Sequence, residues 1–330
     1  MVPRVVAEIG LANNSIEWAH TAVESAADAG CWGLKVQMLT ADTLTAKDAP
    51  RYERLGTGTQ HDGFRDALPH EAWHEVFQHA WDLGLEAFAS VWDRAAIDIL
   101  EEWGVRYYKV GSADITHHTL LEELALTDKH VILSTGASTW NEVDTAAGIF
   151  GWAKLTLLAC TLSYPCASHD ARLERILWLL YAFFTNETEV GYSDHTQLVD
   201  ISGLAVAAGA TMLEKHFTVT PGVGGDHDFA LDPEQMRQYV KHAERAWMLY
   251  HHDTPIGEPL PAEEDARLLA RRSLHTTEPV ERGDELELGV NCEFLRPALD
   301  GIPADDAPPW RLAGRDLPSG HRVRDRDLAD

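Results

Sequence analysis

The sequence predicts an α/β fold, a (β/α)8 barrel followed by a small, mostly β domain. Three observations carry that prediction. Eight short apolar runs alternate with amphipathic stretches across residues 5–250, close to the length of about 250 residues that such a barrel occupies. The first run ends in EIGLANNS, which lacks the GxGxxG spacing expected of a doubly wound dinucleotide sheet. Beyond Tyr250 the alternation stops.

The runs are VVAEIG (5–10), GLKVQML (33–39), EAFASVW (86–92), YYKVGS (107–112), VILSTG (131–136), LTLLACTL (155–162), EVGYSDH (189–195) and MLEKHFT (212–218). Between them lie helical patterns such as IEWAHTAVESAADAG and VDISGLAVAAGA, several ended by glycine, a usual helix stop. ILWLLYAFF (176–184) is too short to cross a membrane and reads as a core helix. The last helix, DPEQMRQYVKHAERAWMLY, has Asp232 placed as N-cap and Pro233 in its first turn. The domains are therefore a barrel over 1–250, a Pro-rich acidic linker over 251–267 and a module over 268–330. That module shows short strand-like pieces, RRSLHTTEPVERGDEL, CEFLRPALDGI and LAGRDLPSGHRV. A core of that size is marginal alone, so the module is expected to dock on something.

With 27 basic and 53 acidic residues, the formal charge of −26 excludes nucleic acid as a partner and implies a solvated, repulsive surface. No signal peptide and no run of eighteen apolar residues is visible, so no membrane partner is expected. Cys31, Cys160, Cys166 and Cys292 form no CxxC pair; reduced, structural thiols of a cytoplasmic protein are expected.

Charged residues inside the runs point to chemistry. Barrel strands are covered on both faces, and active sites lie at their C-terminal ends. Lys35, Lys109 and Lys215 sit inside three of the runs. Each could pair with a strand carboxylate such as Glu8 or Glu214; three together favour an anion site. Ser90, Ser112, Ser134 and Ser193 fall at strand ends, where hydroxyls beside ammonium groups suit phosphate or carboxylate. His195 and His216 close neighbouring strands, within reach of one metal with open coordination positions. Asp114, Asp226 and His227 are candidate acids, bases or partners of sugar hydroxyls, and Tyr164 could line a pocket.

Taken together, AEIGLANN, KVQML, SVWD, YKVGSADIT, ILSTGAS, CTLSYP, GYSDHT, EKHFT, GGDHDF, RRSL and LRP resemble the N-acetylneuraminate (sialic acid) synthases over nearly the whole chain. SDHT followed 21 residues later by EKHFT is the specific part of the match. The resemblance implies a barrel with a C-terminal antifreeze-like (SAF, β-clip) domain and a domain-swapped homodimer. It also implies condensation of phosphoenolpyruvate with the aldehyde of an open-chain N-acyl amino sugar, giving a nonulosonic 2-keto acid and phosphate. It makes His195 and His216 ligands of a divalent ion, Mn²⁺ or Mg²⁺, that polarises the aldehyde. Lys35, Ser90, Lys109, Ser112, Ser134 and Ser193 would grip phosphoenolpyruvate, and Glu8 would manage the proton of the attacking water. Gln37, Asp114, Tyr164, Asp226 and, from the partner subunit, Arg296 match acceptor positions. Lys215, of opposite parity to His216, would face the helices and pair with an acid, leaving Lys35 and Lys109 for the anion.

The donor half matches and the acceptor half departs. Ala12, Asn13 and Ser15 replace Asn-His and Gly of the usual EIGxNHNG, Asp114 replaces a longer glutamate, and Leu162 replaces a polar residue. Asp228-Phe229-Ala230 stands where a more basic, serine-containing stretch is usual. The expected acceptor is therefore one other than N-acetylmannosamine, such as a legionaminic or pseudaminic acid precursor. The alternatives are a pyruvate aldolase using a lysine Schiff base, or a binding protein that has lost catalysis.

Overall fold

The computed structural model describes all residues except 1, 11–14, 52–57, 152–153, 184–187, 252–254, 256, 307–310 and 330. The chain divides into two compact units, Met1–His251 and His252–Asp330.

In the first unit, β1 (Arg4–Glu8), β2 (Gly33–Met38), β3 (Glu86–Val91), β4 (Tyr107–Val110), β5 (His130–Ser134), β6 (Leu155–Cys160), β7 (Thr188–Asp194) and β8 (Met212–His216) form a closed barrel. The pairings are parallel throughout, and β8 returns to β1 with Glu8 opposite His216. This is the predicted (β/α)8 architecture. The strands stop a residue or two before the apolar runs do, because the chain there leaves the ladder for loops.

The helices are α1 (Ile16–Asp28), α2 (Ala41–Leu44), α3 (Gln60–Phe64), α4 (Trp73–Asp82), α5 (Arg94–Trp103), α6 (His118–Ala125), α7 (Trp140–Ile149), α8 (Glu174–Ala182), α9 (Ile201–Ala207) and α10 (Pro233–Tyr250). Their ends follow local rules. Ser15 caps α1 by accepting from the Trp18 N–H, and Asp93 caps α5 through Ala96. Asp232 caps α10 in a capping box with Gln235, and Pro233 sits in its first turn as expected. One expectation needs correction. ILWLLYAFF is helical up to Ala182, but only Ile176 and Leu179 of α8 are buried, while Leu177, Trp178 and Tyr181 are exposed. An outer barrel helix covers the sheet with a single stripe, and this one carries more apolar residues than its stripe can hide.

The barrel interior is layered by strand parity. At the N-terminal end lies a polar floor. Arg4 pairs with Glu189, Thr156 donates to Glu189 at 3.0 Å, and His130 Nε2 lies 2.8 Å from the Thr156 hydroxyl. Above it Val6, Phe88, Ile132, Leu158 and Met212 form an apolar plug. Gly191 belongs to that layer: a Cβ there would lie 2.4 Å from the Met212 carbonyl and 2.6 Å from Leu158 Cδ2. The plug excludes water from below the next layer up, where the ionisable groups sit.

Lys215 faces the other way. Its Nζ lies 2.8 Å from Asp194 Oδ2 on the adjacent strand, both residues fully buried, with the Tyr239 ring centroid 5.8 Å away. The parity expectation for Lys215 therefore holds.

The second unit is small and irregular. A helix, α11 (Glu264–Ala270), precedes β9 (Ser273–Thr276) and β10 (Cys292–Leu295), which pair antiparallel. α11 overlaps the stretch expected to be linker: EEDARLLA is made of good helix formers, and their propensity outweighs the flanking prolines. Leu274, Val280, Leu286, Cys292, Ile302 and Val323 belong to a separate apolar core.

Asp194→Asn leaves the Lys215 ammonium buried without its counter-charge. It should lower unfolding free energy by about 3–5 kcal/mol, read as a shifted urea midpoint.

Candidate active site

At the C-terminal ends of the strands the inward positions above the plug carry polar groups in place of apolar ones. They line a cavity of about 460 Å³. Its inner wall is built from Lys35, Ser90, Lys109, Ser134, Ser193 and Glu214, all buried strand residues, with Ser112 just past β4. His195, His216, Tyr164, Trp92 and Asp226 line it nearer the loops.

The two inward lysines differ. Lys35 Nζ lies 2.7 Å from Glu8 Oε2 and 3.3 Å from Glu214 Oε1, and donates to Ser90 Oγ at 3.2 Å. Burial alone would push Lys35 down, but the Glu214 and Glu8 charges outweigh it and raise its pKa to about 12. Lys109 Nζ donates to Ser134 Oγ at 2.8 Å and to the Val110 carbonyl at 2.7 Å. No carboxylate lies within ion-pair distance of it among the described residues, and burial pulls it down to about 8 against the partial support of Glu214. Pairing with strand carboxylates thus explains Lys35 and Lys215 but leaves Lys109 as the uncompensated cation.

The carboxylates are held to match. Burial raises Glu214, yet Lys109, Lys35, His216 and His195 together bring it to about 2, so it stays ionised. Ser193 donates to Glu214 Oε1 at 3.2 Å. Gln37 Nε2 donates to Glu8 Oε1 at 2.9 Å, so Glu8 is fixed by Lys35 and Gln37 behind the cavity wall. A Cβ at Gly10 would lie 3.5 Å from both Glu8 Oε1 and Asp226 Oδ2, which places these two carboxylates around one point above β1.

Nearer the loops, the His195 and His216 rings face each other at 5.4 Å between centroids, with Tyr164 packed 4.1 Å from the first and 5.8 Å from the second. His195 Nδ1 donates to the Thr161 carbonyl at 2.9 Å, which leaves Nε2 with its lone pair. Burial and then His216 push His195 down to about 3, so it is neutral, the form a metal requires. His216 Nδ1 lies 3.5 Å from Asp226 Oδ2. No group of three or more His, Cys, Asp or Glu suited to a metal occurs among the described residues. The donor set of two imidazoles would suit a divalent ion only if substrate or water supplied its other ligands.

Asp114 does not line the cavity; burial raises its pKa, and its carboxyl accepts from the Trp92 indole, which lines the wall instead. Arg296 is exposed and belongs to the second unit. Ala12 and Asn13 lie outside the described residues. The Phe229 departure is buried behind the cavity, its ring packed 4.9 Å from His216 and 5.7 Å from Tyr164.

Sequence reasoning missed five contributors. Glu214 was considered only as a lysine partner, although it shares parity with His216 two residues on. Cys160 lines the cavity 3.9 Å from His195 Nδ1, its thiol pushed up by burial. Arg51, Gln60 and Phe64, from the long β2–β3 connection, wall the mouth; no strand or helix period announces a loop contact.

A model of the NeuB family matches residues 22–253. The chain is 30% identical over 317 residues to the N,N'-diacetyllegionaminic acid synthase of Campylobacter jejuni, covering 91% of this chain and 92% of that one. It is 28% identical over 309 residues to the pseudaminic acid synthase of Helicobacter pylori, covering 90% and 89%. Among solved structures, the N-acetylneuraminic acid synthetase of Leptospira borgpetersenii superposes with a TM-score of 0.71 at 29% identity, covering 81% of this chain and 90% of that one.

Below pH 8 Lys109 is protonated with or without a bound anion. Above its free value of about 8 an anion must draw a proton in. Affinity for inorganic phosphate should therefore fall as pH rises past 8. Calorimetry at pH 8.5, in buffers of different ionisation enthalpy, should register proton uptake that Lys109→Met abolishes.

Proposed function

On the premise that the chain belongs to the NeuB family, we propose that it condenses phosphoenolpyruvate with the aldehyde of an open-chain N-acyl amino sugar. The products are a nonulosonic 2-keto acid and phosphate. One observation supports this most: Lys109, buried and without a counter-ion among the described residues, stands in a ring of serine hydroxyls below the His195 and His216 imidazoles.

Phosphoenolpyruvate fills the inner half. Lys109 and Lys35 neutralise its phosphate and carboxylate, and the Ser90, Ser112, Ser134 and Ser193 hydroxyls donate to the remaining oxygens. The charges in and just behind the wall nearly cancel, with Lys35 and Lys109 against Glu214 and Glu8. A multiply charged anion therefore calls for further positive charge nearby, which favours a divalent ion, Mn²⁺ or Mg²⁺, on His195 and His216. Bound there, such an ion supplies Lewis-acid polarisation of the sugar carbonyl. As C3 of the enol forms the new carbon–carbon bond, positive charge grows at C2, facing the ionised Glu214. On the family pattern the proton of the water that adds at C2 before phosphate departs falls to Glu8, which Lys35 and Gln37 hold just behind the wall and which would have to turn toward the cavity to take it.

The acceptor occupies the outer half, against Tyr164 and Asp226. Asp114 is turned to Trp92, so that wall is indole rather than carboxylate, and the pocket suits a less polar sugar than N-acetylmannosamine. An aldose carrying two acylamino groups, as the name of the Campylobacter relative's product implies, fits that change. A homodimer in which the partner subunit's Arg296 completes the acceptor end belongs to the same reading.

A buried lysine drawn toward neutrality also suits a Schiff-base aldolase of pyruvate. Borohydride with pyruvate should yield no adduct on Lys109, and trapping would replace the condensation with the aldolase reading. Phosphate release from phosphoenolpyruvate with a panel of aldoses should be greatest with a diacylamino sugar, vanish on chelation and return with Mn²⁺. Equal or better activity with N-acetylmannosamine would overturn the acceptor assignment, and binding of phosphoenolpyruvate without turnover on any aldose would overturn catalysis.

A further inference from the structure

The steps above act on the side of the mouth that carries the imidazoles. Strand parity locates what faces them. On β8, Met212 belongs to the apolar plug, Glu214 to the charged layer, and His216 stands at the mouth. On β3 the same steps of two run Phe88, Ser90, Trp92. Trp92 therefore sits at the level of His216. In the closed ring β3 stands opposite β7, four strands away either way round, so Trp92 faces the imidazoles across the mouth.

Trp92 presents carbon to the cavity. Its one polar side-chain atom, the indole N–H, donates to Asp114, which does not line the cavity. Asp114 Oδ2 would lie 3.6 Å from a Cβ on Gly111, the lining residue in front of it. The connection leaving the neighbouring strand, β2, adds a cation. Pro50 and Thr59 form an antiparallel bridge, the Gln60 N–H donates to the Ala49 carbonyl at 2.9 Å, and Gln60 Nε2 donates to the Pro50 carbonyl at 2.8 Å. These bonds pinch the connection together and lay Arg51 against α3. Arg51 Nη2, Cζ and Nε would lie 3.5, 3.6 and 3.8 Å from a Cβ on Gly63, so the guanidinium sits face-on over that glycine, and both residues line the cavity. Phe64, half-buried, lines it next to Gly63.

An indole with its N–H spent, a phenyl ring and a planar set of guanidinium donors suit one kind of group. A hydroxyl offers neither a flat face nor an alkyl tip. An acylamino group offers both, with a carbonyl that accepts from guanidinium. An open-chain acceptor held by its aldehyde at the imidazoles extends its far carbons toward this wall. We propose that Trp92, Phe64 and Arg51 form a subsite for a second acylamino group on the acceptor, its alkyl tip against the rings and its carbonyl on Arg51. Trp92 and Arg51 are then specificity-determining residues. This rests on the acceptor half of the proposed function and names the groups that read the second amide.

Two alditols that cannot condense serve as probes: a 2,4-diacetamido hexitol, and the 2-acetamido hexitol with a hydroxyl in place of the second amide. Their dissociation constants are measured by calorimetry on the wild type, Arg51→Met and Trp92→Leu, each saturated with phosphoenolpyruvate and Mn²⁺. The wild type should prefer the diacetamido compound about tenfold, equivalent to about 1.4 kcal/mol. Each substitution should remove most of that preference by weakening the diacetamido compound, with phosphoenolpyruvate bound as before. Should Trp92→Leu fail to fold, Arg51→Met, a change at a half-buried loop residue, decides. A preference that survives in Arg51→Met or in folded Trp92→Leu would overturn the inference and leave the acceptor assignment standing. A parallel fall for both alditols and phosphoenolpyruvate would overturn it too, making these residues structural. Equal affinities on the wild type, or binding of neither alditol, would overturn the inference together with the acceptor assignment. Failure of the aldose panel to release phosphate would strike the proposed reaction and leave this comparison of affinities standing.

Discussion

The charged layer in the barrel depends on one interaction: the Lys35 ammonium shared between Glu8 and Glu214. Three ionisable groups sit there at 5% exposure or less. Any one left alone at that depth would neutralise or force the strands apart. Shared, the ammonium and the two carboxyl groups compensate one another, and Gln37, Ser90 and Ser193 satisfy further lone pairs and protons. Because Lys35 consumes the carboxylates, Lys109 has none. The cradle's attraction for an anion thus follows from how charge is divided between two lysines, and a count of cations alone does not show it.

The apolar plug makes this division matter. Val6, Phe88, Ile132, Leu158 and Met212 close the barrel beneath the charges, so water reaches them only through the mouth. Field lines from Lys109 and Glu214 are screened less there than at a surface. The same enclosure keeps His195 neutral and its Nε2 available, with Thr161 fixing the tautomer from outside.

Much of this was legible in the sequence, because a strand's period of two is rigid. Once eight strands are assigned, parity places Lys35, Lys109 and His216 inward and Lys215 outward toward an acid, which the structure identifies as Asp194. What parity cannot give is how far a side chain reaches and which neighbour it chooses. Lys35 turns to carboxylates, and Asp114 turns to Trp92 and leaves the wall to the indole. Nor does periodicity describe loops: the mouth residues Arg51, Gln60 and Phe64 and the placement of Phe229 depend on tertiary contacts. The exposed face of α8 was hidden for a related reason, since an apolar run shows hydrophobicity without showing how much of it a partner covers.

The account stands most directly on where an anion settles. Crystals soaked with phosphoenolpyruvate and Mn²⁺ should show the phosphate against Lys109 and Ser134, with an anomalous manganese peak within ligation distance of His195 Nε2 and His216. A phosphate bound away from Lys109, or a manganese peak touching neither imidazole, would contradict it.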